Sequence, residues 1–300
     1  MATLRLIGAP TDGGAGARGA SMGPEALRVA GLAEALRALG HTVDDAGNLH
    51  GPANPWLPPR DGWRHLDEVV AWNRAVHDAV AAALRAGDTP LLLGGDHCLA
   101  VGSIGAAAAH ARARGRRLRV LWLDAHADFN TAQITPSGNL HGMPLACLCG
   151  LGPPQLTGGG AALDAREVRQ IGVRSVDAQE RQLVHDCGLE VYDMRFIDEH
   201  GMRQTMRHAL AGVDADTDLH VSFDIDFLDP EIAPGVATTV RGGPSYREAQ
   251  LCMEMIADSG RLSSLDIVEL NPAFDQGNRS AELAVDLVSS LFGKSTLMRR

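Results

Sequence analysis

The sequence predicts an α/β fold, a mainly parallel sheet covered by helices on both faces, and three observations carry that prediction. Strand-like and helix-like segments alternate from end to end, the pattern that builds parallel sheets. Several strands read as apolar runs suited to a fully buried sheet. The residues with metal-ligand or acid–base chemistry fall where such strands end, and ligands of open α/β sheets bind beyond the carboxyl ends of strands. Three hundred residues at 45% hydrophobic content suffice for one large domain, and no stretch reads as a linker. Residues 1–300 are therefore expected to form a single domain.

The elements follow in order. Residues 4 to 8 form the first strand, and Thr11 to Met22 a Gly-rich loop that opens a helix with Pro24 in its first turn. That helix continues from Ala26 to Leu39, where Gly40 stops it. A strand near His41 to Asp45 leads into an aperiodic Pro/Trp-rich loop, Gly51 to Trp63. Glu68 to Arg85 is an amphipathic helix and Thr89 to Leu93 a buried strand. Gly94-Gly95-Asp96-His97 turns the chain out of the sheet and into a helix from about Leu99 to Arg114.

The next strand is read as running through Asp124 to Asp128. A polar loop, Thr131 to His141, precedes a short helix at Pro144 to Leu148 and a Gly/Pro-rich loop at Gly150 to Gly160. Four strand–helix units follow: Glu167 to Val173 with Ala178 to Asp186, Leu189 to Asp193 with Met202 to Ala211, Leu219 to Asp224 with Tyr246 to Ser259, and Leu265 to Leu270 with Arg279 to Phe292.

Composition narrows the function. A net charge of -10 and a pI near 5.6 argue against nucleic acid and anionic membranes, and suit a small cationic or neutral substrate. The cysteines at 98, 147, 149, 187 and 252 are odd in number and scattered, so they read as reduced thiols. The N-terminal residues enter a strand without a secretory pattern, and no apolar run is long enough to cross a bilayer, so a cytoplasmic protein is expected.

The chemistry centres on Leu121-Trp122-Leu123-Asp124-Ala125-His126-Ala127-Asp128. On extended backbone Asp124, His126 and Asp128 project to one side while the alanines pack behind them. Val221-Ser222-Phe223-Asp224-Ile225-Asp226 repeats the device with two aspartates, and His97 stands at a third strand end. Buried carboxylates at that density need a cation. His97, Asp124, His126, Asp128, Asp224 and Asp226 make six ligand candidates, too many for one open catalytic ion, so two ions are expected. Oxygen with some imidazole nitrogen suits manganese. About four aspartate charges against about four from two divalent ions leave the site near neutral, ready to lower the pKa of a shared water and welcome a cationic electrophile.

His141 sits one loop after the metal segment, a non-ligating imidazole placed to carry protons. Glu269 ends the last strand, and a carboxylate there can hold a planar guanidinium through two parallel hydrogen bonds. Cys147 and Cys149 read as packing residues, and the other histidines (41, 50, 65, 77, 110, 185, 200, 208 and 220) as solvated.

Gly-Gly-Asp-His at 94–97, Asp-Ala-His-Ala-Asp at 124–128, Ser-Gly-Asn-Leu-His-Gly at 137–142 and Ser-Phe-Asp-Ile-Asp-Phe-Leu-Asp-Pro at 222–230 resemble the signatures of the ureohydrolases, most closely those of the arginase family. The likeness keeps order and spacing from Ile7 to about Asn271. It implies a three-layer α/β/α domain with two manganese ions that hydrolyses L-arginine to L-ornithine and urea through a metal-activated hydroxide. By the same resemblance His97 and Asp128 help bind one ion, His126 and Asp224 help hold the other, Asp124 and Asp226 bridge, His141 shuttles the proton and Glu269 meets the guanidinium. Homotrimers or homohexamers are implied.

Within the family the substrate's tail separates members. Asn130, Thr135, Ser137 and Asn139 stand where arginases are expected to hold the α-carboxylate, Asp177 where the ammonium is expected, and Thr238 is a kept substrate-side residue. Three departures are visible: Val236-Ala237-Thr238-Thr239 replaces a more usual Thr-Gly-Thr-Pro core, Cys98 stands for a common serine, and Ser175 for a frequent aspartate. The altered loop keeps agmatine, guanidinobutyrate and similar guanidino compounds open as substrates. From other classes, a metal-stabilised binding protein without turnover and a single-zinc deacetylase-like hydrolase are the competing readings.

Overall fold

A computed structural model describes residues 2–297; Met1 and residues 298–300, the ends of the expected 1–300 domain, lie outside the described residues. Among the described residues eight strands form one sheet: β1 (Leu4–Ala9), β2 (Val43–Asn48), β3 (Thr89–Gly94), β4 (Arg117–Leu123), β5 (Val168–Ile171), β6 (Glu190–Tyr192), β7 (Thr217–Asp224) and β8 (Leu262–Val268). Their order is β2-β1-β3-β8-β7-β4-β5-β6, and every pairing is parallel. The helices are α1 (Gly23–Val29), α2 (Leu32–Ala38), α3 (Leu66–Ala86), α4 (Ala100–Ala113), α5 (Pro144–Leu148), α6 (Pro154–Thr157), α7 (Ala178–Asp186), α8 (Met194–Ala209), α9 (Tyr246–Ser259) and α10 (Arg279–Leu291).

Successive strand residues point to opposite faces, and both faces are apolar. Leu91, Leu93, Leu121, Leu123, Val221 and Phe223 pack with α1, α2, α8, α9 and α10, whereas Ile7, Leu92, Val120 and Trp122 pack with α3, α4 and α5. Each fully buried side chain of this size contributes roughly 1.5–3 kcal/mol. No helix among the described residues is long and apolar enough to cross a membrane.

Register is what positions the site. Leu93 pairs with Ile267, Ile267 with Phe223, and Phe223 with Leu123, so one level row of fully buried residues crosses β3, β8, β7 and β4. The four site segments leave the sheet just above that row, side by side, although they lie far apart in sequence.

Local expectations need correction in several places. The strand expected to carry Asp124 to Asp128 ends at Leu123, and the last strand ends at Val268 rather than Leu270. The expected helix from Ala26 to Leu39 is broken into α1 and α2 at Gly31, which takes φ 80°, a conformation that favours glycine. The helix expected from Met202 is present, and a further helical stretch from Met194 precedes it, where the Asp193 carboxylate accepts the Phe196 N–H at 2.8 Å; Gly201, with non-helical φ 78° and ψ 153°, divides the two at a kink. Two histidines expected in solvent are buried. His65 meets the Gly13 carbonyl at 2.7 Å, and His220 meets Ser264 Oγ at 2.7 Å and Asp266 at 3.3 Å.

Candidate metal centre

Gly94 and Gly95 bring β3 out of the sheet beneath the N-terminal loop. A Cβ on Gly95 would lie 1.7 Å from the Thr11 carbonyl oxygen, so only glycine fits there. Asp96 then caps the turn that starts at His97, accepting the Cys98 N–H at 3.0 Å and the Gly14 N–H at 2.8 Å. His97 is thereby fully buried, its ring stacked on Trp122 at 4.1 Å and its Nε2 2.8 Å from Ser222 Oγ.

The free edge of that imidazole faces acids. His97 Nδ1 lies 3.0 Å from Asp224 Oδ2, 3.0 Å from Asp128 Oδ2 and 3.2 Å from Asp124 Oδ2. One ring nitrogen has at most one proton to share among three carboxylates. His126 Nδ1 lies 3.0 Å from Asp226 Oδ2 and 3.5 Å from Asp124 Oδ1. Two ligand groups result, His97/Asp124/Asp128 and Asp124/His126/Asp226, with Asp124 common to both. Asp226, expected to bridge, sits with the His126 group, and Asp224, expected beside His126, lies 3.0 Å from His97 Nδ1.

Electrostatics supports a cationic occupant. Four buried aspartates face two imidazoles, so full ionisation leaves an anionic excess that protons or metal must offset. Burial, reinforced by Asp124, pushes Asp128 up to about 7; burial with Asp226 and Asp124 pushes Asp224 well above the carboxylate range and raises Asp226. Against the same burial, the surrounding aspartates raise His97 well above its ordinary value and His126 to about 12. Asp124 alone is lowered, because His126 and His97 outweigh its burial. An oxygen-rich donor set with two imidazoles and no thiolate suits a pair of hard divalent ions.

Hydrogen bonds aim the remaining ligand oxygens. Asp124 accepts from Trp122 Nε1 at 2.9 Å and from the His126 N–H at 2.6 Å. Asp224 accepts the Asp226 N–H at 2.7 Å, and Asp226 accepts the Ala125 N–H at 3.1 Å and the Thr238 hydroxyl at 3.1 Å. Asp128 and Glu269 have φ of 51° and 62°, an unfavourable conformation for residues with a Cβ. Both acids reach the centre from irregular backbone, not from the extended alternation that the sequence suggested.

Every expected site residue except Asp124, which lies beneath the floor, lines one cavity of about 170 Å³. Glu269 Oε1 accepts the His97 N–H at 2.8 Å and lies 3.1 Å from His141 Nδ1, while its Oε2 is buried with no partner. This pairing holds His141 up at about 9 despite burial and lowers Glu269. Asn130 donates to Asp177 at 3.0 Å, and the side-chain oxygens of Asn130 and Asn139 are buried without partners. Thr135 and Ser137 shape the rim: Thr135 Oγ1 accepts the N–H of Gly138 at 3.0 Å, and Ser137 Oγ that of Asn139 at 3.2 Å.

Sequence reasoning missed Glu180, which lines the cavity and accepts the N–H groups of Phe129 and Asp177 at 2.8 and 3.1 Å. The Asp-x-x-Glu spacing at 177–180 was the available signal. It also missed Asp96, and the Trp122 and Ser222 side chains that orient ligands from behind.

Comparison with known proteins gives a consistent result. The model of the Arginase family matches residues 2–293. An arginase of Brucella melitensis is 46% identical over 302 residues, covering 98% of this chain and 97% of that protein. The crystal structure of the arginase from Bacillus caldovelox at pH 5.6 superposes with a TM-score of 0.93 at 39% identity, covering 99% of this chain and all (100%) of that one. That of the Bacillus subtilis arginase gives 0.90 at 40% identity, covering 98% and 100%.

Proposed function

The chain belongs to the arginase family, and on that premise we propose that it hydrolyses L-arginine to L-ornithine and urea with two manganese ions per chain. The observation that carries this reading is Glu269: one oxygen is tied to His97 and His141, and the other is buried and unpartnered beside the ligand groups. A buried carboxylate oxygen left without a donor is costly, and a guanidinium fork supplies N–H groups to it.

His97, Asp124, His126, Asp128, Asp224 and Asp226 would hold the two ions. Bound there, the ions would supply an activated water at neutral pH. Glu269 orients the planar guanidinium so that its carbon faces that water. In the hydrolysis this carbon gains a bond to the water oxygen, which stays with urea, as its bond to the chain nitrogen breaks, and the two water protons end on that nitrogen, which leaves as the ornithine ammonium. His141, held protonated by Glu269, is placed to deliver one of them. Asn130 and Asn139 offer neutral polar groups to the α-carboxylate, with Thr135 and Ser137 ordering the loop that presents them, and Asp177 offers an anion to the ammonium. Thr238 acts through Asp226. Five free cysteines support a reducing, cytoplasmic setting, and a homotrimer or homohexamer, measurable by light scattering, completes the proposal.

The test is urea release by manganese-loaded protein across L-arginine, agmatine and guanidinobutyrate. L-arginine is expected to be turned over fastest by a wide margin. Preference for another guanidino compound rejects the arginine assignment, and arginine binding without urea rejects turnover altogether.

A further inference from the structure

The sequence motif Gly172-Val173-Arg174-Ser175 leaves β5 beside the metal loop, and its arginine has no role in the chemistry above. Among the described residues the Arg174 guanidinium bonds no carboxylate; it is wrapped in backbone carbonyls. Nη2 donates to Asp226 O at 2.7 Å, Leu228 O at 3.1 Å and Val240 O at 2.9 Å. Nη1 donates to Phe227 O and Gly172 O at 3.1 Å each, and Nε to Val240 O at 3.1 Å. Three of these carbonyls, those of Asp226, Phe227 and Leu228, lie at the end of the short helical turn Ile225–Phe227 that carries Asp226, where a helix end leaves carbonyls for outside donors. The fit is tight enough that a Cβ on Gly243 would come within 2.6 Å of Nη2.

The backbone of the same residue completes a ring. Arg174 N donates to Ala125 O at 2.8 Å, Ala125 N donates to Asp226 Oδ1 at 3.1 Å, and Asp226 O returns to Arg174 Nη2. Val240 lies two residues past Thr238, whose hydroxyl donates to Asp226 Oδ2. One side chain therefore ties the Asp226 turn, the metal loop at Ala125 and the 236–240 segment together. All of these contacts lie on the Asp226 side, and none reaches His97 or Asp128.

We infer that Arg174 is a positioning residue that sets the affinity of the ion held by Asp124, His126 and Asp226, and couples that ion to the 236–240 loop, without acting on the ion held by His97, Asp124 and Asp128. A planar fork is required: lysine keeps the charge but offers three donors from one point and cannot span five carbonyls. The inference rests on the two-ion reading proposed above.

The experiment titrates chelator-treated protein with manganese alone and follows binding by calorimetry, comparing the native chain with Arg174→Lys. The native chain is expected to take two ions. In the variant one ion keeps its native affinity and the other weakens about tenfold or more, the range for outer groups that orient metal ligands. Two unchanged affinities in a folded variant, or equal weakening of both, overturns the inference. Should the variant not fold, amide exchange in the native chain decides: exchange at 236–240 should slow as the second ion binds, and no change there overturns the coupling. Native protein that takes fewer than two ions removes the two-ion reading itself, and this inference with it.

Discussion

His141 Nδ1 lies 3.1 Å from Glu269 Oε1, across 128 residues of sequence, and the two side chains hold each other charged. Neither belongs to the ligand groups, so the pair can be altered without removing a ligand. Acid–base function and metal retention are therefore separable here.

His141→Ala should keep both ions and slow turnover by roughly ten- to ten-thousand-fold, the general acid–base range. Metal analysis beside the kcat measurement checks it; unchanged kcat would take His141 out of the mechanism.

The same pair sets a pH window in metal-stripped protein. His141 is raised to about 9, so its stabilisation is full below about 6.5, its ordinary value, and fades as pH climbs through about 9. Glu269 is lowered, so its share is present above the ordinary carboxylate range and fades on acidification. Between pH 6.5 and 9 the native chain should lose on the order of 3 kcal/mol that His141→Gln does not lose. Parallel pH profiles of the two chains in denaturant melts would refute this.

Asp124 is common to both ligand groups, whereas Asp128 serves one. Asp124→Asn should therefore cost both ions, and Asp128→Ala at least the ion of the His97 group, with activity lost in each. Manganese per chain after gel filtration is the measurement, and two retained ions in Asp124→Asn would show that the shared position is wrong.

Asn139 lines the cavity, where its side-chain amide N–H can donate to the substrate's α-carboxylate. Asn139→Ala should raise the KM for L-arginine about ten- to a hundred-fold, the worth of a hydrogen bond to a charged group, and leave agmatine, which lacks the carboxylate, nearly unaffected. Equal losses for both substrates would place Asn139 outside tail recognition.

Gly95→Ala forces a Cβ to within 1.7 Å of the Thr11 carbonyl oxygen. Because the neighbour is backbone, the turn itself must move, taking His97 and the Glu269 N–H bond to Gly95 O with it. A fall in urea midpoint together with weaker manganese binding is expected; a variant with native values for both would show that the turn yields freely.

The six ligand candidates and Glu269 stood out in the chain because each lies at or just past the end of an apolar run, and His141 because it closes the polar loop that follows the metal segment; such signals are local. The sequence by itself therefore determined the parallel α/β plan and which strand ends carry acids. Tertiary structure decided the rest. Local pattern does not encode that β3, β8, β7 and β4 are neighbours in level register, and it is that adjacency which gathers His97, Glu269, Asp224 and Asp124 at one height. Nor does a period of two foresee that Asp128 and Glu269 leave the strands for left-handed backbone. The burial of His220 against Asp266 and the carbonyl cage of Arg174 escaped for the same reason: a side chain's partners are fixed by packing between segments distant in sequence, where no local preference acts.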